Sequence, residues 1–225
     1  MINEENKKFV SEVLTIWDKL SKQEQELILQ NSKYIKHNKG ENIHSGENDC
    51  VGILLIKSGE LRTYILSEEG KEITLYRLGE GDVCILSASC VLKNITFDVF
   101  IDTEQESEII LINSSVFQKI CHENIYAENF SLKQTVDRFS DVMWAMQQIL
   151  FMSFDKRLAI FLLDEVSKTG DSSIQLTHDQ IAKYMGSARE VVSRMLKYFE
   201  KDGLVELFRG GLKVIDKSGL RKIID

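Results

Sequence analysis

The stretch LTHDQIAKYMGSAREVVSRMLKYFEKDGLVEL, residues 176–207, limits what this chain can fold into more than any other. Thr177-His178-Asp179-Gln180 is a capping box, in which a hydroxyl and an amide satisfy each other's orphan backbone groups and open a short helix, IAKYM. Gly186 supplies a turn, Ser187 or Ala188 starts a second helix running to about Asp202, and Gly203 ends it. LVELF, a Gly-Gly turn and LKVI then make a two-stranded hairpin. Helix, glycine turn, helix and hairpin is the order of a winged helix-turn-helix.

The second helix carries Arg189, Glu190, Ser193 and Arg194 at i, i+1, i+4 and i+5, a spacing that sends all four side chains off one side. A helix fits the DNA major groove and meets base edges with its N-terminal residues; arginine pairs bidentately with guanine, and a glutamate accepts from the cytosine amino group. Ser187, Lys183, Lys197 and Arg209 remain for phosphates. The plainer reading is a solvated helix with a Glu190–Arg194 pair worth about 0.3 kcal/mol; the capped helix before it and the hairpin after it favour DNA. Charge agrees in sign. The chain is net −7, but residues 155–225 hold 13 Lys and Arg against 11 Asp and Glu, so the acidity lies upstream.

With 225 residues, 43% hydrophobic and 28% charged, a large and a small globular domain are expected. Residues 3–31 read as two helices, the second opened by the Ser21-Lys22-Gln23-Glu24 capping box. From about residue 33 to 112, β-branched runs alternate with glycines: GILLIKSGELRTYIL, KEITLYRLGEGDVCIL, ITFDVFI and EIILI. From Ile125 to about Met152 the period is helical over about 28 residues, roughly 40 Å, long enough to join domains or pair with its copy. Phe139, Met143, Met146 and Leu150 lie on one side of it, so dimer or core packing outweighs a methionine cofactor box. The fold class is therefore α+β. Residues 1–123 form the β domain with flanking helices, 124–153 the dimerisation helix and 154–225 the winged helix-turn-helix. No apolar run approaches the length of a membrane span, the first residues show no apolar signal region, and the four scattered cysteines suit a reducing compartment; a cytoplasmic protein with no membrane partner is expected. No nucleophile–base pair, paired carboxylates or Gly-rich phosphate loop argues for an enzyme.

The winged segment resembles the DNA-binding domain of the CRP/FNR family of bacterial transcription regulators, and SGELRTYILSEEGKEITLYRLGEGDV resembles that family's sensor domain. The order β domain, long helix and winged helix-turn-helix matches as well. The resemblance implies a double-stranded, jelly-roll-like β-roll, a homodimer joined along the long helix, and palindromic double-stranded DNA as partner, with RNA polymerase as a further one. Arg189, Glu190 and Arg194 fall where CRP-type proteins read bases, and Glu190, Ser193 and Arg194 match the FNR-type pattern, which implies a TGA-containing half-site. The competing reading is a β-roll that binds a metabolite without operator binding.

Cyclic-nucleotide-binding members of that family carry a Gly-Glu pair for ribose and an Arg-Ser or Arg-Thr pair for phosphate. Here VCILSASCVLKNITFDVFI follows Gly81-Asp82, and no arginine stands between Arg77 and Arg138. A buried phosphate without a cation is costly, so cyclic AMP is not the expected effector. No cysteine precedes Cys50, which disfavours an FNR-type iron–sulfur cluster. Cys84 and Cys90 flank Ser87 in the cassette position; these thiols are either a redox sensor or small buried apolar residues. Haem or a small-molecule effector stays open, although His44, His122 and His178 are isolated, and no metal site is expected.

Overall fold

The computed structural model describes residues 2–46, 51–85 and 98–224. Two compact units emerge: Met1–Leu66 with Leu75–Val142, and Ser67–Thr74 with Met143–Asp225.

In the first unit, α1 (Glu4–Val13) is capped by Asn3, and α2 (Lys22–Gln30) by the anticipated box, in which Ser21 N donates to Glu24 Oε2 at 2.6 Å. Among the described residues eight strands follow: β1 (Ser32–His37), β2 (Asn42–Ser45), β3 (Ile53–Ser58), β4 (Leu61–Leu66), β5 (Glu72–Leu78), β6 (Val83–Cys84), β7 (Phe100–Thr103) and β8 (Ser107–Ile112). They form two four-stranded sheets, ordered β1-β8-β3-β6 and β2-β7-β4-β5. The apolar run ILLI in β3 is explained by alternation, because successive side chains leave opposite faces of a strand. Ile53 and Leu55 join a core with Val10, Leu14 and Ile28 of the helices, whereas Leu54 and Ile56 join Leu61, Tyr76, Leu78, Cys84 and Ile101 in a second core between strands. Both faces of the strand are buried, so it lacks the polar half of an amphipathic pattern.

Gly59 makes the β3–β4 turn at φ +86, and an added Cβ there would lie 2.3 Å from Ser107 Oγ. Helix α3 (Ser114–Glu123) leads to α4 (Ile125–Phe151), which is 27 residues long. Its Ala127 and Phe130 join the core beneath the N-terminal helices.

The second unit takes in the end of α4, then α5 (Phe154–Thr169), stopped by Gly170 in the left-handed region at φ 72. Next come β9 (Ser173–Ile174), α6 (His178–Met185), α7 (Arg189–Lys201), β10 (Val205–Phe208), β11 (Gly211–Val214) and α8 (Lys217–Ile224). Strands β10, β11 and β9 form one antiparallel sheet. The sequence pattern did not announce β9, which is only two residues long, or α8, whose start is held by Asp216 Oδ1 accepting from Ser218 N and Gly219 N. Leu158, Leu162, Ile181, Val192, Leu196 and Phe199 form the core of this unit.

Among the described residues, no helix is long and apolar enough to cross a membrane.

Candidate nucleic-acid interface

Thr177 Oγ1 accepts from Gln180 N, and Gln180 Oε1 accepts from Thr177 N at 2.9 Å, closing the expected capping box. Gly186 sits at φ +57, ψ 40, where a side chain would be strained, and Ser187 N donates back to Ala182 O at 2.9 Å. That reversal fixes where α7 begins. Ala188 is its N-cap and offers no side-chain bond, so the backbone amides of the first turn are left open to solvent or phosphate.

Val192, Leu196 and Phe199 bury one face of α7, which turns the opposite face outward. Arg189, Glu190, Arg194 and Lys197 are exposed and Ser193 is half-buried, so the structure brings the predicted reading residues onto one helix edge. Arg189 Nη1 lies 3.5 Å from Asp179 Oδ2 on α6. The Glu190 and Arg194 side chains make no hydrogen bond or ion pair with other described residues. The plain helix pair weighed for them is therefore not formed, and both heads are available to a ligand.

Of the predicted phosphate contacts, Arg209 is exposed at the β10–β11 turn, and Lys183 Nζ is paired with Glu72 Oε1 at 3.0 Å. His178, at the first position of α6, was not placed in the interface by sequence. Partial burial, with Arg189 and Lys197 nearby, lowers its pKa below the usual imidazole value, which favours its neutral form.

The described sensor residues lie in the first unit. Cys84 is fully buried in β6, in the core between the sheets. Ser87 and Cys90 lie outside the described residues. The sequence shows no arginine between Arg77 and Arg138, but in the fold Arg138 itself reaches this region from α4. Arg138 places its guanidinium 5.2 Å from the centre of the Tyr76 ring and pairs with Asp141 at 3.0 Å. Buried nearby, Tyr76 Oη, Thr63 Oγ1 and Arg138 Nε make no hydrogen bond of full geometry among the described residues, although the Thr63 hydroxyl lies close enough to the Tyr76 phenol to favour its ionised form slightly. Burial holds the Tyr76 phenol well above its usual pKa. Among the described residues, no group of three or more His, Cys, Asp or Glu comes together to hold a metal ion.

Along α4, Leu132, Val136, Phe139, Met143, Met146 and Leu150 are exposed at steps of four, three, four, three and four. The sequence reading had the last four; Leu132 and Val136 extend the same line.

Comparison with known proteins agrees with this arrangement. Residues 156–223 match the Crp-like helix-turn-helix domain. The chain is 25% identical over 206 residues to electron transport regulator A of Shewanella oneidensis, covering 86% of this chain and 78% of that protein. It is likewise 25% identical to the cAMP-activated global transcriptional regulator CRP of Pasteurella multocida over 169 residues, 72% of this chain and 80% of that one. These relatives are regulators rather than enzymes. A crystal structure of a CRP/FNR-family transcriptional regulator from Eubacterium rectale superposes with a TM-score of 0.91 at 43% identity, covering 95% of this chain and 99% of that one. By that identity and coverage, this chain belongs to the CRP/FNR family of transcription regulators.

Proposed function

We propose that this regulator is a homodimer that reads a palindromic DNA operator with TGA-containing half-sites and is gated by a signal received in its β-roll. The observation that carries this reading is the outward edge of α7, where Glu190 and Arg194 stand one turn apart with neither head engaged. Arg189, Glu190, Ser193 and Arg194 read bases, while Ser187, Lys183, Lys197 and Arg209 hold phosphates. A palindrome requires a two-fold protein, and the 4-3-4-3 apolar line on α4 has the spacing of a coiled-coil seam. Binding at an operator brings RNA polymerase within reach as a further partner.

The gate is a population shift: a signal in the roll changes the seam packing and so the spacing of two recognition helices, which must be about 34 Å apart for successive major grooves. The buried Tyr76 and Thr63 hydroxyls, close to each other and without a hydrogen bond of full geometry among the described residues, support a neutral or apolar effector with a hydrogen-bonding group, and Asp141 already offsets the Arg138 charge. Cyclic AMP does not fit this pattern; haem and the Cys84–Cys90 thiols remain the other signals to test.

The test titrates the full chain against a TGA-palindrome duplex and a scrambled duplex of equal length. Preference for the palindrome, together with a dimer in sedimentation, is the expected result. Equal affinity for both duplexes overturns the base-reading assignment.

A further inference from the structure

The residues Ser67-Glu68-Glu69-Gly70-Lys71-Glu72-Ile73-Thr74 carry three glutamates against one lysine, and they belong to the same compact unit as α6 and α7. The last three of them meet the turn of the helix-turn-helix. Glu72 Oε1 pairs with Lys183 Nζ at 3.0 Å, and Thr74 Oγ1 donates to Lys183 O at 3.2 Å. The Ile73 side chain lies against Gly186, so close that a Cβ there would be 3.3 Å from Ile73 Cγ1. Charge pair, hydrogen bond and apolar contact come from consecutive residues onto one turn, which is the pattern of a fitted contact rather than a chance approach of two long side chains. Glu72 is itself half-buried there.

We propose that this acidic segment is an autoinhibitory cover on the helix-turn-helix, with Glu72 taking the place of a DNA phosphate on Lys183. The inference rests on the DNA-binding reading and adds its regulation. A lysine ammonium held by a carboxylate is not available to a phosphate oxygen, and Glu68 and Glu69, both exposed, add like charge beside the path of the DNA backbone. Binding DNA therefore requires the segment to leave. The contact is suited to release, because an ion pair with Lys183 half in solvent is weak and screened by salt. Gly186 serves both states: it makes the turn and leaves room for Ile73 when the cover is on.

The test uses the full chain, the TGA-palindrome duplex and the scrambled duplex, followed by fluorescence anisotropy at low salt. Glu72→Gln is expected to tighten binding to both duplexes by roughly threefold to tenfold, the scale of one recovered phosphate contact. Lys183→Gln, which frees the segment but also removes the phosphate contact, is expected to bind both duplexes more weakly than Glu72→Gln does, and in that background Glu72→Gln should change nothing. In hydrogen exchange without DNA, residues 67–74 should exchange faster in either variant than in the wild type. Equal affinity of wild type and Glu72→Gln overturns the cover while leaving DNA binding intact, as does equal exchange of the segment. If none of the proteins binds either duplex, the DNA-binding reading fails and the cover fails with it.

Discussion

Arg138 of α4 stacks its guanidinium over the ring of Tyr76 in β5, 5.2 Å from the ring centre, and the buried Tyr76 hydroxyl lies close to the Thr63 hydroxyl but makes no hydrogen bond of full geometry among the described residues. A buried hydroxyl without a partner costs stability, whereas the ring earns its place through burial and the cation above it. Tyr76→Phe should therefore leave stability in urea unchanged or raise it by up to about 1 kcal/mol. A loss larger than that would mean the hydroxyl holds an ordered water or ligand. The pH dependence has a definite sign. The folded state keeps the Tyr76 proton while the unfolded chain releases it near the ordinary phenol pKa of about 10, so stability falls as pH rises past that value, and the Phe variant loses this part of the fall.

Base reading and phosphate holding separate in a salt titration. Glu190→Ala should cost about 1 to 3 kcal/mol on the TGA palindrome and nothing on the scrambled duplex, because the carboxylate serves only to accept from a base. Lys197→Ala should weaken both alike and lower the slope of log affinity against log salt by about one. If Glu190→Ala keeps full sequence preference, α7 is not the reading helix.

The exposed line on α4 gives an assembly prediction. Met143 stands mid-seam between Phe139 and Met146, so a Met143→Glu change puts like charges across a two-fold seam. Sedimentation should give a mass near twice 25.8 kDa for the wild type and a shift toward monomer for the variant, with palindrome binding lost in parallel. A monomeric wild type that still binds the full palindrome tightly would count against the seam.

The helix-turn-helix was legible because its determinants are local: the Thr177–Gln180 capping box, Gly186 and Gly203 each act within a few residues. The long helix was legible through its period. The strands Ser32–His37 and Asn42–Ser45 were not picked out individually, since SKYIKH presents charges on its open side and few β-branched residues. Arg138 over Tyr76 and Lys183 on Glu72 were out of reach of any pattern, because the partners are far apart in sequence and meet only in the folded chain. The apolar seam was visible only in part, as Leu132 looks like any core leucine until its exposure is known.

Two turn glycines should respond differently to a methyl group. Both have positive φ, +86 at Gly59 and +79 at Gly70, so each alanine pays about 1 kcal/mol of backbone strain. Gly70 has open space around it, but at Gly59 the Cβ would meet Ser107 Oγ at 2.3 Å and Glu106 O at 2.5 Å. Gly59→Ala should lower stability in urea by at least about 2 kcal/mol more than Gly70→Ala. Equal losses would show that the turn relaxes away from Ser107.

The thiols give the last prediction. Cys84 is fully buried among Leu54, Leu78 and Ile101, and burial pushes the Cys121 thiol up to about 12. The thiolate is the reacting form, so neither should be alkylated in the native protein at pH 8 except through opening of the fold. Mass spectrometry after iodoacetamide should find both labelled on the order of a hundredfold more slowly than in urea. Peroxide then acts on operator affinity through Cys84 only as fast as that opening allows. A native Cys84 that labels at the unfolded rate, with a peroxide response lost in a Cys84→Ser, Cys90→Ser double variant, would make the thiol pair the signal. A peroxide response that survives in the double variant would exclude it and leave haem or a small molecule in the roll.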